Sequence, residues 1–291
     1  MEGSSIIAGC MKWGVWGARF TSDAYDRMVK ECLDAGIRTF DHADIYGGYT
    51  TEAEFGSVLR SSPSLRDTLQ IITKCGICLV DPNRPEHIVK HYETRAPHIR
   101  RSVERSLKNL YTDRIDLLLI HRPDPLMDPA EVAKALQDLM QEGKILAAGV
   151  SNFSAAQTDL LSQYIPLNAH QLEFSLSHTA PLTNGVLDMC RKQGISVQAW
   201  SPLGGILEAR REITGKKSMI FQVAMNLAET HGATIDQILL AWILHHPLGI
   251  RPVIGTSRPE RVRASVLAES ISLSRQEWFQ LYEASLGHEV P

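Results

Sequence analysis

Short apolar runs alternate along this chain with longer stretches in which apolar residues return every three or four positions. The runs "SIIAG", "IRTFD", "LQIITK", "IDLLLIH", "ILAAGV", "LNAHQLE", "SVQAW" and "IRPVIG" read as strands of ordinary length. Between them lie amphipathic helices. In "DAYDRMVKECLDAG" residues Tyr25, Met28, Val29, Cys32 and Leu33 share one face, and Gly36 ends the pattern. "DPAEVAKALQDLMQEGK" opens on Asp128 as a cap with Pro129 in the first turn, and Gly143 closes it. Ser154 with Gln157, Thr234 with Gln237, and Ser257 with Glu260 have the spacing of capping boxes and predict three further helix starts.

Strands apolar on both faces, each followed by a helix, imply a parallel sheet covered by helices. Eight such units without a linker or composition break predict that residues 1–291 form one domain, a single (β/α)8 barrel. No GxGxxG follows the first strand, which weakens an open dinucleotide-binding sheet. Segments 76–95 and 201–220 exceed what a barrel loop needs and are expected to carry function.

Composition narrows the function classes. A formal charge of −3 opposes general nucleic-acid binding, and 44% hydrophobic with 22% charged residues suits an ordinary globular chain. No apolar run reaches the ~18 residues of a membrane span, and "MEGSSIIAGCMKWG" lacks the pattern of a signal peptide. Five cysteines without framework spacing predict a reducing, cytoplasmic setting. "CGIC" (Cys75 to Cys78) lacks the further ligands of a zinc site, and a metal is not expected. The pair reads as structural, with a thiol pKa lowered by neighbouring Lys74, and hence oxidative sensitivity, as the lesser alternative. No long heptad is present, so a monomer is expected.

Barrel active sites form where strands end. There the chain supplies Asp41 and Tyr46, Lys74, and His121. A lysine ammonium beside a phenol favours the phenolate and makes the phenol a better acid, an aspartate keeps the lysine charged, and a histidine orients a substrate oxygen. Such a group gives a proton to an oxygen as negative charge develops, as in carbonyl reduction. His42, next along the strand, points away from Asp41, and Asp44 shapes the bend before Gly47 and Gly48. Arg251, Arg258, Arg261 and Arg263 gather around a predicted helix start, a combination suited to a phosphate. His245 and His246 are expected as cations at a helix end.

With "DHADIYGGY", "TKCG", "IDLLLIHRPDP", "GVSNF", "QLEFS", "AWSPLGG" and "VIGTSRPERV" in order, the sequence resembles the aldo-keto reductase superfamily over nearly all its length, and within it the bacterial YdhF-like oxidoreductase branch. The resemblance implies an NADP(H)-dependent enzyme reducing small-molecule aldehydes and ketones. Tyr46 would be the general acid, Lys74 its activator, Asp41 the partner of Lys74, and His121 the residue orienting the carbonyl. Ser151, Asn152 and Gln171 would hold the nicotinamide carboxamide, and Trp200 would stack on its ring. Ser201, Leu203 and Gly204 would lie along the pyrophosphate. Gly255, Thr256, Ser257, Arg258 and Arg261 would form the 2′-phosphate loop. The chain departs from the family at Gly255, where many members have lysine, at Ala264 and Ser265 on the adenine side, and at Met11. Trp13, Trp16 and His87 are candidate pocket walls. Two alternatives stand beside this reading: a dinucleotide-binding or redox-sensing subunit with little turnover, and a Schiff-base lyase using Lys74.

Overall fold

A computed structural model describes residues 3–207 and 215–291. Met1 and Glu2 of the N-terminal reading, and residues 208–214 of the long segment 201–220, lie outside the described residues.

The eight apolar runs form strands β1 (Ile7–Gly9), β2 (Thr39–Asp41), β3 (Gln70–Cys75), β6 (Leu117–Ile120), β7 (Ala148–Ser151), β8 (Ala169–Glu173), β9 (Ser196–Trp200) and β10 (Arg251–Ile254). They close in the order β1-β10-β9-β8-β7-β6-β3-β2, and every barrel pairing is parallel. Long segment 76–95 holds a two-stranded antiparallel ribbon, β4 (Ile77–Cys78) with β5 (His91–Tyr92). Alternation along the strands splits the apolar residues into two sets. Ile7, Ile72, Leu119, Ala169 and Val253 fill the barrel interior, while larger clusters lie between sheet and helices. No helix among the described residues is long and apolar enough to cross a membrane.

Helix Ser22–Asp34 buries Tyr25, Met28, Val29 and Cys32 as its periodicity requires. Helix Pro129–Gln141 starts where the Asp128 carboxylate accepts from Ala130 N at 2.9 Å. Capping boxes form at Ser154 with Gln157 and at Thr234 with Gln237. The third expected box does not form. Helix Pro259–Leu267 begins one residue later, with Arg258 in the cap position and no side-chain cap. Proline at the first helical position restricts the residue before it to extended backbone, which moves the cap from Ser257 to Arg258. Thr256 Oγ1 accepts from Arg258 N at 3.2 Å instead.

Two charge expectations also change. Arg251 opens β10 at the opposite end of the barrel, where Nε donates to Ser5 O at 3.1 Å and a second guanidinium N–H to Thr39 Oγ1 at 3.0 Å. It therefore leaves the arginine cluster. His246 is not a cation at a helix end: burial, then Arg191, push its pKa down.

His42 packs outward with its ring 4.5 Å from that of Phe55, fully buried and, among the described residues, without partners for either ring nitrogen. Burial, with Lys74, pushes its pKa down to about 3. An unfolded imidazole titrates near 6.5, so this residue's contribution to stability is whole above about pH 6.5 and is lost as pH falls from there towards 3. The slope is about 1.4 kcal/mol per pH unit within that window. His42→Leu lacks this proton uptake, so urea unfolding should show it gaining on the wild type as pH falls from neutral to about 4. A difference constant with pH would refute the assignment.

Candidate active site

The C-terminal ends of the strands surround a cleft of about 740 Å³. Asp41 ends β2 and pairs in register with Ile72 of β3, and Lys74 follows Ile72 by two residues on the same inward face. After Asp41 the chain bends through a short turn, Tyr46–Tyr49, in which Gly47 and Gly48 sit consecutively at φ +61° and +62°. Two successive left-handed residues favour glycine, and this turn swings Tyr46 back over the barrel mouth.

The result is a compact charged group. Lys74 Nζ donates to Asp41 Oδ1 and Oδ2 at 2.8 and 2.7 Å and to His42 O at 2.8 Å, and it lies 3.1 Å from Tyr46 Oη. Lys74 is 1% exposed and Tyr46 9%, so the ammonium sits beneath the phenol and only the phenol meets the cleft. Gln171 Nε2 donates to Asp41 Oδ1 at 2.8 Å and to Gln198 Oε1 at 3.1 Å. That inner ring fixes the carboxylate that fixes the lysine. Gln198 escaped the sequence reading, although a glutamine inside the apolar run "SVQAW" was its signal.

Burial is the first influence on Lys74 and opposes its charge, but Asp41 and then Tyr46 outweigh it and hold the pKa above the ordinary value. For Tyr46 the balance runs against the sequence expectation. Burial raises the phenol's pKa by more than Lys74 lowers it, so the net direction is up. The phenol is thus kept protonated at neutral pH. His121 lines the cleft with its ring 6.2 Å from that of Tyr46, and its Nδ1 has no partner among the described residues. Burial, then Lys74 and Arg122, push its pKa well down, leaving a neutral imidazole. At neutral pH the cleft thus presents a protonated phenol at Tyr46 beside an uncharged imidazole at His121.

The other expected site residues divide into two groups. Ser151, Gln171, Trp200, Ser201, Leu203, Gly204, Gly255, Thr256 and Arg261 line the same cleft. Asn152 stands behind it, accepting from Trp200 Nε1 at 3.0 Å and donating to Ser151 Oγ at 2.7 Å, and so orients the indole. Asn152 and Ser201 both have left-handed backbone, φ +58° and +54°. Ser257 and Arg258 are not on the lining. Arg258 pairs with Glu260 at 3.3 Å, and Arg263 pairs with Glu31. Arg261 is the arginine of that cluster that faces the cleft.

Trp16 lines the cleft with its ring 6.3 Å from Tyr46. Trp13 does not: it is 1% exposed and donates from Nε1 to Thr256 O at 2.9 Å. His87 belongs to a separate small cavity with Asp44, Glu52, Arg84 and His98, so neither His87 nor Asp44 faces the cleft. Lys12, Lys90, Tyr92, Arg122 and Asp236 also line the cleft and were not singled out from the sequence. Cys75 and Cys78 are free and buried. Burial raises the Cys75 pKa well above the ordinary value and that of Cys78 to about 11, in line with a structural pair and against the lesser alternative of a lowered thiol. Neither is a reactive thiolate.

Comparison with known proteins agrees with this geometry. The profile described as "Aldo/keto reductase family" matches residues 5–285. The chain is 42% identical to "Oxidoreductase YdhF" of Escherichia coli (strain K12), covering 97% of this chain and 92% of that protein. It is 41% identical to a "6-dehydroglucose reductase" of Agrobacterium fabrum, covering 100% and 97%. Among solved structures, an aldo/keto reductase from Klebsiella pneumoniae in complex with NADP and acetate superposes with a TM-score of 0.77 at 25% identity, covering 95% of this chain and 89% of that one.

Proposed function

We propose, from the premise that this chain belongs to the aldo/keto reductase family, that it reduces an aldehyde or ketone to an alcohol with NADPH and with Tyr46 as proton donor. The observation carrying the proposal is the Lys74 ammonium 3.1 Å from the Tyr46 phenol at the floor of the 740 Å³ cleft. A relative's structure with bound NADP supports the choice of cofactor.

The residues fit such a dinucleotide. Gly255 lines the cleft, and among the described residues a Cβ there would meet no atom within 4 Å beyond its own chain neighbours, so its backbone is open to a ligand. Helix Pro259–Leu267 starts beside it, and the positive end of its dipole together with Arg261 suits the 2′-phosphate. Gly204, at φ +55°, lies so close to Ser175 and Ser177 that a Cβ would meet their Oγ atoms at 2.6 and 2.7 Å. Ser201, Leu203 and Gly204 form the wall for the pyrophosphate. Trp200 offers its indole face to the nicotinamide, and Ser151 and Gln171 offer hydrogen-bonding groups to its carboxamide. Bound NADPH supplies a hydride to the carbonyl carbon.

The chain's own contribution is charge and placement. His121 holds the carbonyl oxygen, and Tyr46 Oη gives that oxygen its proton as negative charge develops. Lys74 favours the phenolate left behind, and Asp41 keeps Lys74 charged and aimed. A Schiff-base lyase needs a neutral nucleophilic amine, whereas Lys74 is a buried ammonium bonded to both Asp41 oxygens. A thiol-based sensor needs a thiolate, which burial denies to Cys75 and Cys78.

NADPH oxidation against a panel of aldehydes, ketones and quinones tests the reading. 6-Dehydroglucose belongs in that panel because a 41% identical relative bears its name. Saturable turnover of a carbonyl is the expected result; NADPH binding without turnover of any member would favour the binding-subunit alternative. For cofactor choice, Arg261→Ala should weaken NADPH by about 10–100-fold and NADH far less. Arg258→Ala should have the smaller effect, because Glu260 already holds that guanidinium. Calorimetric titration decides, and equal losses for both dinucleotides would show that Arg261 does not read the 2′-phosphate.

A further inference from the structure

We propose that the substrate half of this cleft selects a carbonyl compound bearing an anionic group, carboxylate or phosphate, which Arg122 receives with help from Lys90 and Lys12. This deepens the reductase reading and rests on it.

The chain is net acidic, yet the cleft wall on the Tyr46 side carries three cations, Lys12, Lys90 and Arg122. Of the acids near that side, Asp41 is already bonded through both oxygens to Lys74, and Glu173 at the end of β8 attracts Arg122 without forming an ion pair with it. Asp236 is the other acid of the lining, and it shares the far end of the cleft with Arg261 and Ser265. Among the described residues neither Arg122 nor Lys90 has a carboxylate within ion-pair distance. The surface arginines of this chain commonly do: Arg95, Arg100, Arg114, Arg258 and Arg263 each have one.

Arg122 is also held in place. One guanidinium N–H donates to His121 O at 3.2 Å, and the guanidinium carbon lies 5.7 Å from the centre of the Trp200 ring. It is half-buried, and burial presses its pKa down. A desolvated guanidinium fixed over an aromatic face, with N–H donors to spare, is incomplete without an acceptor. Its planar fork matches a carboxylate or a phosphate in two parallel hydrogen bonds. It adjoins His121, which faces the reacting carbonyl in the proposed reaction, so the anion it receives belongs to the substrate. Lys90 and Lys12 are exposed at the rim and add attraction that salt screens. Trp16, Ile77, Leu79 and Tyr92 form the apolar wall between, suited to the carbon skeleton joining the two ends of the substrate.

The test compares matched pairs under saturating NADPH: 4-carboxybenzaldehyde against 4-methylbenzaldehyde, and glyceraldehyde 3-phosphate against glyceraldehyde. The wild type should prefer the charged member of at least one pair by about tenfold or more in kcat/KM, and the preferred pair identifies carboxylate or phosphate. Arg122→Leu should lower that preference about tenfold, mainly through KM of the charged member. Lys90→Ala, at an exposed position where folding is not at stake, should lower it about two- to fivefold and reduce its salt dependence. A wild-type ratio near one in both pairs overturns the proposal while leaving the reductase reading intact. So does an Arg122→Leu variant whose principal loss is NADPH affinity, which would make Arg122 a cofactor contact. Absence of NADPH oxidation with all four compounds overturns both the proposal and the reading beneath it.

Discussion

Tyr46→Phe should lower carbonyl turnover by about 10²–10⁴-fold, the range general acid catalysis commands, with NADPH affinity nearly unchanged. The substitution removes one oxygen. That oxygen is the polar atom of Tyr46 at the cleft and lies 3.1 Å from Lys74 Nζ. The ring keeps its contacts with Trp16 and His121, so the wall of the cleft persists. His121 cannot stand in, because burial and the neighbouring cations Lys74, Arg122 and Lys90 hold it neutral. The pH profile adds a second reading. The Tyr46 pKa is raised by burial, so the wild type should keep its proton donor through neutral pH and lose activity only on the alkaline side. Turnover in Tyr46→Phe comparable to the wild type would remove the phenol from the mechanism.

Lys74→Met should destabilise the fold by about 3–5 kcal/mol, the cost of leaving one buried charge without its partner. Asp41 and Lys74 are 2% and 1% exposed, and Gln171 alone cannot replace two hydrogen bonds from an ammonium. The single substitution Asp41→Asn should be similarly severe, because it strands the ammonium. The double variant Asp41→Asn/Lys74→Met removes both charges of this pair. It should be distinctly more stable than the sum of the two single losses, since residues in contact do not add. Chemical denaturation of the four proteins measures this cycle. Strict additivity would mean that the pair does not act as one unit.

Much of this was legible in the sequence for a definite reason. Parallel barrel strands are buried on both faces, so runs such as "DLLLI" and "AHQLE" stand out, and residues just after them must lie at the mouth. Asp41, Lys74 and His121 needed no more than that. What escaped depends on magnitudes or loop shapes that single residues do not encode. The sign of the Tyr46 shift is a contest between burial and Lys74, and burial is known only once the chain is folded. Ser257 satisfied a capping pattern that the geometry before Pro259 overrode. Trp13 and Trp16 differ by one turn of a loop, one facing the core and the other the cleft. Arg251 was misplaced by its nearness in sequence to the other arginines, although it precedes the apolar run of β10 and so belongs at the barrel's other end. Arg122, beside His121 in "HRPD", was visible but had no pattern to raise it above an ordinary loop arginine.

The most direct test follows the hydride itself. Wild-type protein is incubated with NADPH deuterated on the transferred position at C4 and with a carbonyl compound it turns over, and the alcohol is examined by mass spectrometry and NMR. The account predicts one deuterium on the carbinol carbon, and near-total loss of that product in Tyr46→Phe at matched NADPH occupancy. Undiminished deuterated alcohol from Tyr46→Phe, or alcohol from the wild type without the label, would contradict it.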